Sequence, residues 1–320
     1  MKHLLPALLL GQLTATAAWA ADTMRAVVIV DGGAVIQSVP KPEPQADQVR
    51  IKVRAVSVNP VDWKIADHAA PGSRLIAGRD LSGIIDAVGT AAGPWKKGQA
   101  VIAIAAGGSY GEYAVASIHA IAAKPPQMSF EEAAGLPVVG ETAWRAIVTV
   151  ANVQAGQRVL IHGAAGGVGS LAVQIAKARG AHVIATASAA HTQLLRSLGA
   201  DEVLDYHSVR FEQKVHDVDV VLNTVDSDTN MRSVGVVKRG GILVSVVGPP
   251  PTTQCEAAGF RCAVTGSATG EMLGAVSELA AQGKLHVHID QQLTLQDANK
   301  AWDASRRGHI GGKIILEVSR

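Results

Sequence analysis

LIHGAAGGVG, residues 160–169, is the stretch that decides the predicted fold. Its spacing matches the pattern G-x-G-x-x-G, with Ala164 in the first position, Gly166 in the second and Gly169 in the third. A glycine in the second position lets the backbone approach a pyrophosphate, and one in the third lets a helix pack closely on the preceding strand. N–H groups at the start of that helix would face the phosphates. The candidate cofactor-binding residues of this turn are Ala164, Ala165, Gly166, Gly167, Val168 and Gly169.

The flanking residues supply the context that this pattern needs. Branched residues at 158–161 predict a strand, and an apolar stripe at 168, 171, 172, 175 and 176 predicts a helix that ends at Gly180. A second strand follows at His182–Thr186. A glycine cluster alone would equally mark a tight turn, but a turn between a strand and an amphipathic helix predicts a dinucleotide site.

The end of the second strand indicates which dinucleotide is bound. NAD sites usually place an acid there to bind the ribose 2′-hydroxyl. Residues 183–200 contain no Asp or Glu, whereas Ser188 and His191 could receive a 2′-phosphate. NADP(H) is therefore the predicted cofactor, although the nearest arginine, Arg196, lies well into the following helix.

Two patterns of predicted secondary structure divide the chain into two domains. Residues 24–149 predict an irregular β domain, with short strands bordered by Gly or Pro. Among them are Arg25–Val30 and Gln48–Val58, and the prolines at 40, 42 and 44 predict a loop between these two strands. From 150 to 285 short apolar strands alternate with helices, one of them at Met231–Lys238, which predicts a doubly wound parallel sheet and hence an α/β fold. A last helix and strand within 286–320 are expected to return to the first domain, making that domain discontinuous.

Composition and charge restrict the class of protein. Of 320 residues, 48% are hydrophobic and 18% are charged, which suits buried cores and argues against disorder. The net charge is +2 and no long basic run occurs, so nucleic acid is not an expected partner. The two cysteines, Cys255 and Cys262, are too few for a cysteine-built structural zinc site. Either one disulfide or two buried thiols fits them equally.

The first twenty residues have the layout of a cleavable secretory signal. Lys2 and His3 precede an apolar run at Leu4–Leu10, and the segment closes with Ala18–Ala20 before Ala21, so that small residues flank the expected cleavage point. The run is too short and too polar for a stable membrane anchor. We therefore predict a signal peptide at 1–20 and a periplasmic or secreted protein. The alternative is translation from Met24, which would make the protein cytoplasmic.

Beyond the glycine turn, several motifs in the correct order resemble one family from Met24 to the C-terminus. This is the zinc-independent medium-chain dehydrogenase/reductase superfamily, in its quinone oxidoreductase (zeta-crystallin-like) branch. The matching segments are VNPVDW at 58–63, GRDLSG at 78–83, GSYGEY at 108–113, EAAGLP at 132–137, ETAW at 141–144 and GKIIL at 312–316.

The resemblance implies a GroES-like substrate domain around a Rossmann domain, with the active site in the cleft between them. Zinc-dependent relatives carry a Cys where this chain has Asn59 and a His where it has Arg79. Asparagine and arginine do not replace thiolate and imidazole as zinc ligands. No metal site is therefore predicted.

The resemblance further implies hydride transfer from NADPH to a small electrophile, either a quinone or an α,β-unsaturated carbonyl compound. Asn59 is the first candidate for a donor to the developing oxyanion; the alternative is an asparagine that caps the loop before Pro60. Lys64 and Tyr110 are catalytic candidates that could approach the substrate or supply a proton, with exposed positions as the alternative. Asp62 is expected to hold loop geometry.

Further cofactor contacts come from outside the turn. The resemblance implies that Thr142 binds the nicotinamide ribose, and the alternative is a hydroxyl bonded to its own helix. Asn223 and Val247 follow strands on the expected cofactor side. Lys313 is a further candidate for the cleft, although a solvated lysine at a strand end is the favoured interpretation. His162 is interpreted as structural or exposed.

Three functions stay open at this point. The first is an NADPH-dependent quinone or enone reductase, and the second is a carbonyl or nitro reductase using the same cleft. The third is an exported cofactor-binding or structural protein without turnover. The family resemblance also suggests a homodimer paired through an edge strand near Ile242–Val247 or Arg261–Val264.

Overall fold

The computed structural model describes residues 22–308 and 310–318. The predicted signal segment at 1–20 lies outside these residues. The strands of the described residues are β1 (Thr23–Val30), β2 (Gly33–Pro40), β3 (Gln48–Ser57), β4 (Leu75–Ile76), β5 (Asp80–Val88), β6 (Ala100–Ile104), β7 (Tyr113–Ser117), β8 (Ile121–Ala123), β9 (Arg158–His162), β10 (His182–Ala187), β11 (Glu202–Asp205), β12 (Val218–Asn223), β13 (Val237–Ser245), β14 (Arg261–Val264), β15 (Ile289–Thr294) and β16 (Lys313–Glu317). The helices are α1 (Pro60–Asp67), α2 (Phe130–Ala134), α3 (Pro137–Trp144), α4 (Gly167–Ala178), α5 (Thr192–Ser197), α6 (Ser227–Ser233), α7 (Thr252–Ala257), α8 (Leu273–Ala281) and α9 (Ala298–Arg307).

Strands β9 to β14 form a six-stranded, all-parallel sheet in the order β11-β10-β9-β12-β13-β14. Every residue of β12 is buried, as expected for a strand covered on both faces. The order reverses between β9 and β12, where open α/β sheets bind ligands beyond the carboxyl ends of their strands. The predicted α/β fold with a doubly wound parallel sheet is confirmed.

The remaining strands form a seven-stranded sheet and a three-stranded sheet, mostly antiparallel. Alternation along β3 points Val49, Ile51 and Val53 into the core. Strand β16 pairs with β3, with Ile315 opposite Ser57, so the end of the chain joins the sheet built by its beginning. The domain limits at 149/150 and 285/286 stay predictions.

Two local elements differ from the expectation. The segment Gly33–Pro40 forms β2, paired with β1 along its whole length, although the prolines at 40, 42 and 44 predict a loop there. The segment Met231–Lys238, predicted as helix, leaves α6 at Ser233 and enters β13 at Val237. Both differences arise because pairing with a neighbouring strand outweighs local propensity.

Cys255 and Cys262 form a disulfide with Cα atoms 6.0 Å apart. It ties α7 to β14, the strand at one edge of the parallel sheet. Strand β13 lies between β12 and β14, so the segment Ile242–Val247 is interior and cannot pair with a second copy. Pairing of two copies through β14 stays a prediction. Among the described residues no helix is long and apolar enough to cross a membrane.

Candidate active site

The glycine turn lies where β9 passes into α4, at the reversal of strand order. Gly169 has no room for a side chain, because a Cβ there would lie 2.3 Å from the carbonyl oxygen of Gly163 and 2.7 Å from Cα of Ala164. Ala164 and Gly169 therefore hold the helix against the strand, and neither lines the cleft. The turn residues that do line it are Gly163, Ala165, Gly166, Gly167 and Val168.

A single cleft of about 1060 Å³ runs from this turn to the antiparallel sheets. Its near wall holds Gly166 and Ser188, and its far wall holds Asn59, Lys64 and Lys313. The volume is large enough for a dinucleotide together with a small substrate. The free backbone N–H groups at the N-terminus of α4, a twelve-residue helix, border the same space.

Ser188 and His191 form a pair just beyond the end of β10. The hydroxyl of Ser188 lies 2.9 Å from Nδ1 of His191, and both residues line the cleft. The imidazole also packs against the last loop of the chain, since a Cβ on Gly311 would lie 2.3 Å from Nε2. Two hydrogen-bonding side chains therefore border the cleft at the end of β10.

A buried polar cluster closes the far end of the cleft. Asp80, at the start of β5, accepts hydrogen bonds from Ser57 at 2.7 Å and from Nδ2 of Asn59 at 2.8 Å. The Lys313 ammonium donates to Oδ1 of Asn59 at 2.8 Å and to the carbonyl oxygen of Val58 at 3.0 Å. Asn59 thus faces the cleft with its amide oriented from both ends. Lys313 is only 4% exposed, so its interpretation as a solvated strand-end lysine is wrong.

Tyr110 does not approach the cleft, contrary to the prediction that it contacts substrate. It is fully buried, does not line the cleft, and donates its hydroxyl to Oδ2 of Asp62 at 2.9 Å. Burial, with the Asp62 carboxylate beside it, raises the pKa of Tyr110 well above its ordinary value. The same Asp62 oxygen accepts the backbone N–H of Asn59 at 2.9 Å, so the Asp62–Tyr110 pair fixes the start of α1.

Within this cluster, burial changes the pKa of the Asp62 carboxyl group most clearly. Desolvation raises the pKa of Asp62 to about 7, and the nearby Asp80 adds to the rise, while hydrogen bonds from Asn59 and Tyr110 oppose it. Burial lowers the pKa of Lys313, whereas Asp80 and Asp62 favour its charged form. The far end of the cleft therefore combines one buried cation with two carboxyl groups.

Lys64 lines the cleft from the exposed side of α1, with its ammonium 5.5 Å from the centre of the Trp63 ring. Thr142 lines the cleft as well, and its hydroxyl donates to the carbonyl oxygen of Val138 at 2.7 Å. The hydroxyl proton of Thr142 is thus used within α3, although the oxygen can still accept a hydrogen bond from a bound ligand.

Asn223 does not line the cleft, contrary to the prediction. It is fully buried, and its amide donates to the carbonyl oxygen of Asp226 and to Oδ1 of Asn230, both at 2.7 Å, to hold the turn after β12. The neighbouring Val225 lines the cleft in its place, and so does Val247 after β13.

His162, predicted to be structural or exposed, lies in the cleft wall below the glycine turn. Its Nδ1 is 3.0 Å from the hydroxyl of Thr186, and its Nε2 is 3.2 Å from that of Ser233. Burial, reinforced by the positive charge of Arg232, lowers the pKa of His162 to about 3. It is a neutral hydrogen-bonding residue, and its place at the last position of β9 is the signal that could have revealed it.

These features are those of a dinucleotide-binding protein in which a parallel sheet and two mostly antiparallel sheets border one cleft. Comparison with known proteins agrees. Residues 45–126 match the model of the alcohol dehydrogenase GroES-like domain, and residues 198–316 match that of zinc-binding dehydrogenases.

Individual relatives show to which branch of the family the chain is similar. It is similar to the chloroplastic quinone-oxidoreductase homolog of Spinacia oleracea, with 31% identity over 86% of this chain and 91% of that one. It is also similar to 2-methylene-furan-3-one reductase of Solanum lycopersicum, with 34% identity over 86% and 73%. Among solved structures, the quinone oxidoreductase from Coxiella burnetii aligns with a TM-score of 0.84 and 31% identity, covering 93% of this chain and all of that one. The chain therefore belongs to the medium-chain dehydrogenase/reductase family, in its quinone oxidoreductase branch.

Proposed function

We propose that this protein is an NADPH-dependent reductase of quinones or α,β-unsaturated carbonyl compounds that works without zinc. The observation that carries the proposal is the continuous cleft from the glycine turn to the Asn59–Lys313 pair. A dinucleotide phosphate group fits one end, and a small electrophile fits the other. The names of the relatives, quinone oxidoreductase and NADPH-dependent alkenal/one oxidoreductase, support the same substrate class.

The choice of NADPH over NADH rests on the end of β10. The Ser188–His191 pair borders the cleft there, and no carboxylate follows the strand. A carboxylate at this place would repel a 2′-phosphate and would accept a hydrogen bond from a 2′-hydroxyl. A neutral imidazole and a hydroxyl can both donate to phosphate oxygens, and a protonated imidazole adds charge.

Zinc does not fit the donor set at the far end of the cleft. Asn59 stands where zinc-dependent relatives carry a cysteine, and its only amide oxygen already accepts from the Lys313 ammonium. A divalent cation at that oxygen would face a positive charge at close range. The other departure, Arg79, donates to the carbonyl oxygen of Ala268 at 3.0 Å and does not line the cleft. No step of the proposed reaction is routed through a metal.

Bound NADPH would supply a hydride to the electrophilic carbon of the substrate. The protein then has three tasks: binding the dinucleotide along the glycine turn, orienting the substrate, and stabilising negative charge on its oxygen. Asn59 has one amide N–H beyond the one given to Asp80, and this N–H is available to the substrate oxygen. Lys64, at the exposed edge of the cleft, is the candidate that delivers a proton from solvent.

The test is NADPH oxidation by the purified protein with a quinone and a simple enone, repeated with NADH and after treatment with a chelator. Turnover that prefers NADPH and survives the chelator supports the proposal. Ser188→Asp is expected to shift the preference towards NADH, with Ser197→Asp on the exposed end of α5 as the matched control. Preference of the unaltered protein for NADH, or loss of activity with the chelator, would contradict the cofactor or the metal part respectively.

A second candidate, an exported protein of the same fold without turnover, is favoured by the Cys255–Cys262 disulfide. Disulfides persist in oxidising compartments, where NADPH is not expected. N-terminal sequencing of the natural mature protein tests export, since cleavage after Ala20 and a start at Met24 give different termini. Absence of both NADPH binding and turnover would favour this candidate over the reductase.

A further inference from the structure

Lys313 is a buried cation in the wall of the cleft, and the proposed cofactor chemistry does not account for it. The residue begins β16 and is 4% exposed, yet it lines the cleft beside Asn59. A buried ammonium carries a large desolvation cost, so it persists where specific partners hold it. Asp80, 3.8 Å away, supplies the opposite charge.

The stem of Lys313 is fixed by close packing on both sides. A Cβ on Gly167 would lie 2.9 Å from Cδ of Lys313, and one on Gly135 would lie 3.4 Å from Cγ. The lysine thus passes between the start of α4 and the end of α2 before its ammonium reaches Asn59. A group held in this way needs no reorganisation when charge develops beside it.

The hydrogen bonds of the ammonium leave room for a ligand. Of its three N–H groups, one donates to Oδ1 of Asn59 and one to the carbonyl oxygen of Val58. Asp80 lies beyond hydrogen-bond distance and acts through its charge. Among the described residues, the third N–H has no bonded partner, and Lys313 borders the cleft.

We propose that Lys313 is a catalytic residue whose ammonium binds the carbonyl or quinone oxygen of the substrate. The inference rests on the proposed reductase function. When the hydride forms a C–H bond at the electrophilic carbon of an enone or a quinone, the π electrons of the substrate move to its oxygen, which becomes an enolate oxygen. Lys313 and the free N–H of Asn59 stabilise that negative charge, and a proton from solvent completes the reduction. The protonated adduct of a quinone then reaches the hydroquinone by tautomerisation. The substrate gains two electrons, and the nicotinamide loses them.

A different role for Lys313 would be to bind the cofactor pyrophosphate, because its stem touches Gly167. The direction of the side chain argues against this role. Its ammonium is bonded to Val58 and Asn59, which belong to the loop between β3 and α1, and not to the glycine turn. The two roles differ in what they predict: a pyrophosphate ligand governs NADPH affinity, whereas an oxyanion ligand governs kcat.

The test compares Lys313→Met, Lys313→Arg and the control Lys124→Met in full-length protein with a simple enone. Lys124 is a partly buried lysine whose ammonium also bonds backbone carbonyl oxygens, at Pro125 and Met128, and it does not line the cleft. Lys313→Met is expected to lower kcat by about 100-fold, the usual effect of losing one oxyanion donor. Its Kd for NADPH, from fluorescence titration, should stay within about threefold of the unaltered value. Lys313→Arg keeps the positive charge but enlarges a tightly packed side chain, so its kcat should lie between that of Lys313→Met and that of the unaltered protein.

Should Lys313→Met fail to fold because Asp80 is left unpaired, Asp80→Asn/Lys313→Met removes both charges and should show the same loss of kcat. Unchanged kcat at saturating NADPH in a folded variant, or a loss confined to NADPH affinity, would overturn the role of Lys313 and leave the reductase function intact. No turnover by the unaltered protein with any quinone or enone would overturn both.

Discussion

Replacing Gly311 by alanine tests how this chain selects its cofactor without replacing Ser188 or His191 themselves. Gly311 belongs to the loop between α9 and β16 and packs against the imidazole of His191. A methyl group there would lie 2.3 Å from Nε2 and 2.7 Å from Cδ2 of the ring. Ordinary contacts between such atoms are about 3.5–4.0 Å, so the ring must withdraw by about 1 Å.

That displacement is enough to break the pair at the end of β10. Nδ1 of His191 is 2.9 Å from the Ser188 hydroxyl, and a hydrogen bond does not survive much beyond about 3.5 Å. Losing one hydrogen bond to a charged group such as the 2′-phosphate costs about 1.5–3 kcal/mol. Each 1.4 kcal/mol is about tenfold in affinity, so Gly311→Ala should weaken NADPH binding by roughly 10- to 150-fold. NADH, which lacks the phosphate, should bind as before.

Fluorescence titration with both cofactors measures the effect directly. Gly274→Ala is the matched control, because Gly274 is an exposed position on α8 with nothing within 4 Å of an added Cβ. Equal weakening of NADPH and NADH would mean that the loop governs the shape of the whole cleft. Unchanged affinity for both would refute the role of His191 in phosphate recognition.

Three other predictions follow from the described contacts. Gly169→Ala should lower the free energy of unfolding by about 1–3 kcal/mol, because the new methyl meets backbone atoms of Gly163 and Ala164; a urea midpoint equal to that of unaltered protein would contradict it. The Cys255–Cys262 disulfide closes a short loop, and its reduction should lower the free energy of unfolding by about 2 kcal/mol. Urea unfolding with and without reductant measures this difference, and no change would show that the packing of α7 and β14 does not depend on the disulfide. The third prediction concerns Asp62, whose pKa is raised from 3.8 to about 7, so the stability contributed by its neutral form is present below pH 3.8 and is lost as the pH rises to about 7. The side chain of Asp62→Asn stays neutral at every pH. As the pH rises from 5 to 8, the free energy of unfolding of this variant, measured with urea, should therefore increase by about 3 kcal/mol relative to that of the unaltered protein. If the difference between the two proteins does not change with pH, Asp62 is not desolvated.

The parallel sheet could be predicted because its evidence is local. The strand at 158–161, the glycine turn and the helix after it occupy about twenty consecutive residues, and each shows its own periodicity or spacing. Strand β2 was missed because it pairs with β1 through a tight turn at Asp31 and Gly32, both with positive φ, while the prolines after it dominated the pattern. Strand pairing is a property of two segments and leaves a weak trace in either one.

In the candidate site, too, residues with local sequence signals could be predicted, and residues placed by long-range contacts could not. Gly166 and Ser188 could be chosen from local context, and both line the cleft. The sequence predicts Tyr110 and Asn223 as ligand contacts, but each is fully buried and bonded to protein groups. The burial of Lys313 could not be foreseen, because its partner Asn59 is 254 positions away and the two meet only when β16 joins β3. Long-range contacts of this kind decide whether a polar residue faces solvent, a ligand or the core.

The departures from the zinc-dependent pattern are connected by the same contacts. An amide at position 59 needs a donor for its oxygen and an acceptor for its nitrogen, and Lys313 and Asp80 meet both needs. Arg79 turns to the carbonyl oxygen of Ala268, which removes the second position from the cleft. Reinstating cysteine at 59 alone would leave the Lys313 ammonium beside the thiolate, where the two charges pair and the sulfur is blocked from a metal. A zinc site would therefore need Lys313 to change together with Asn59 and Arg79, since the ammonium occupies the one donor atom that position 59 offers to the cleft.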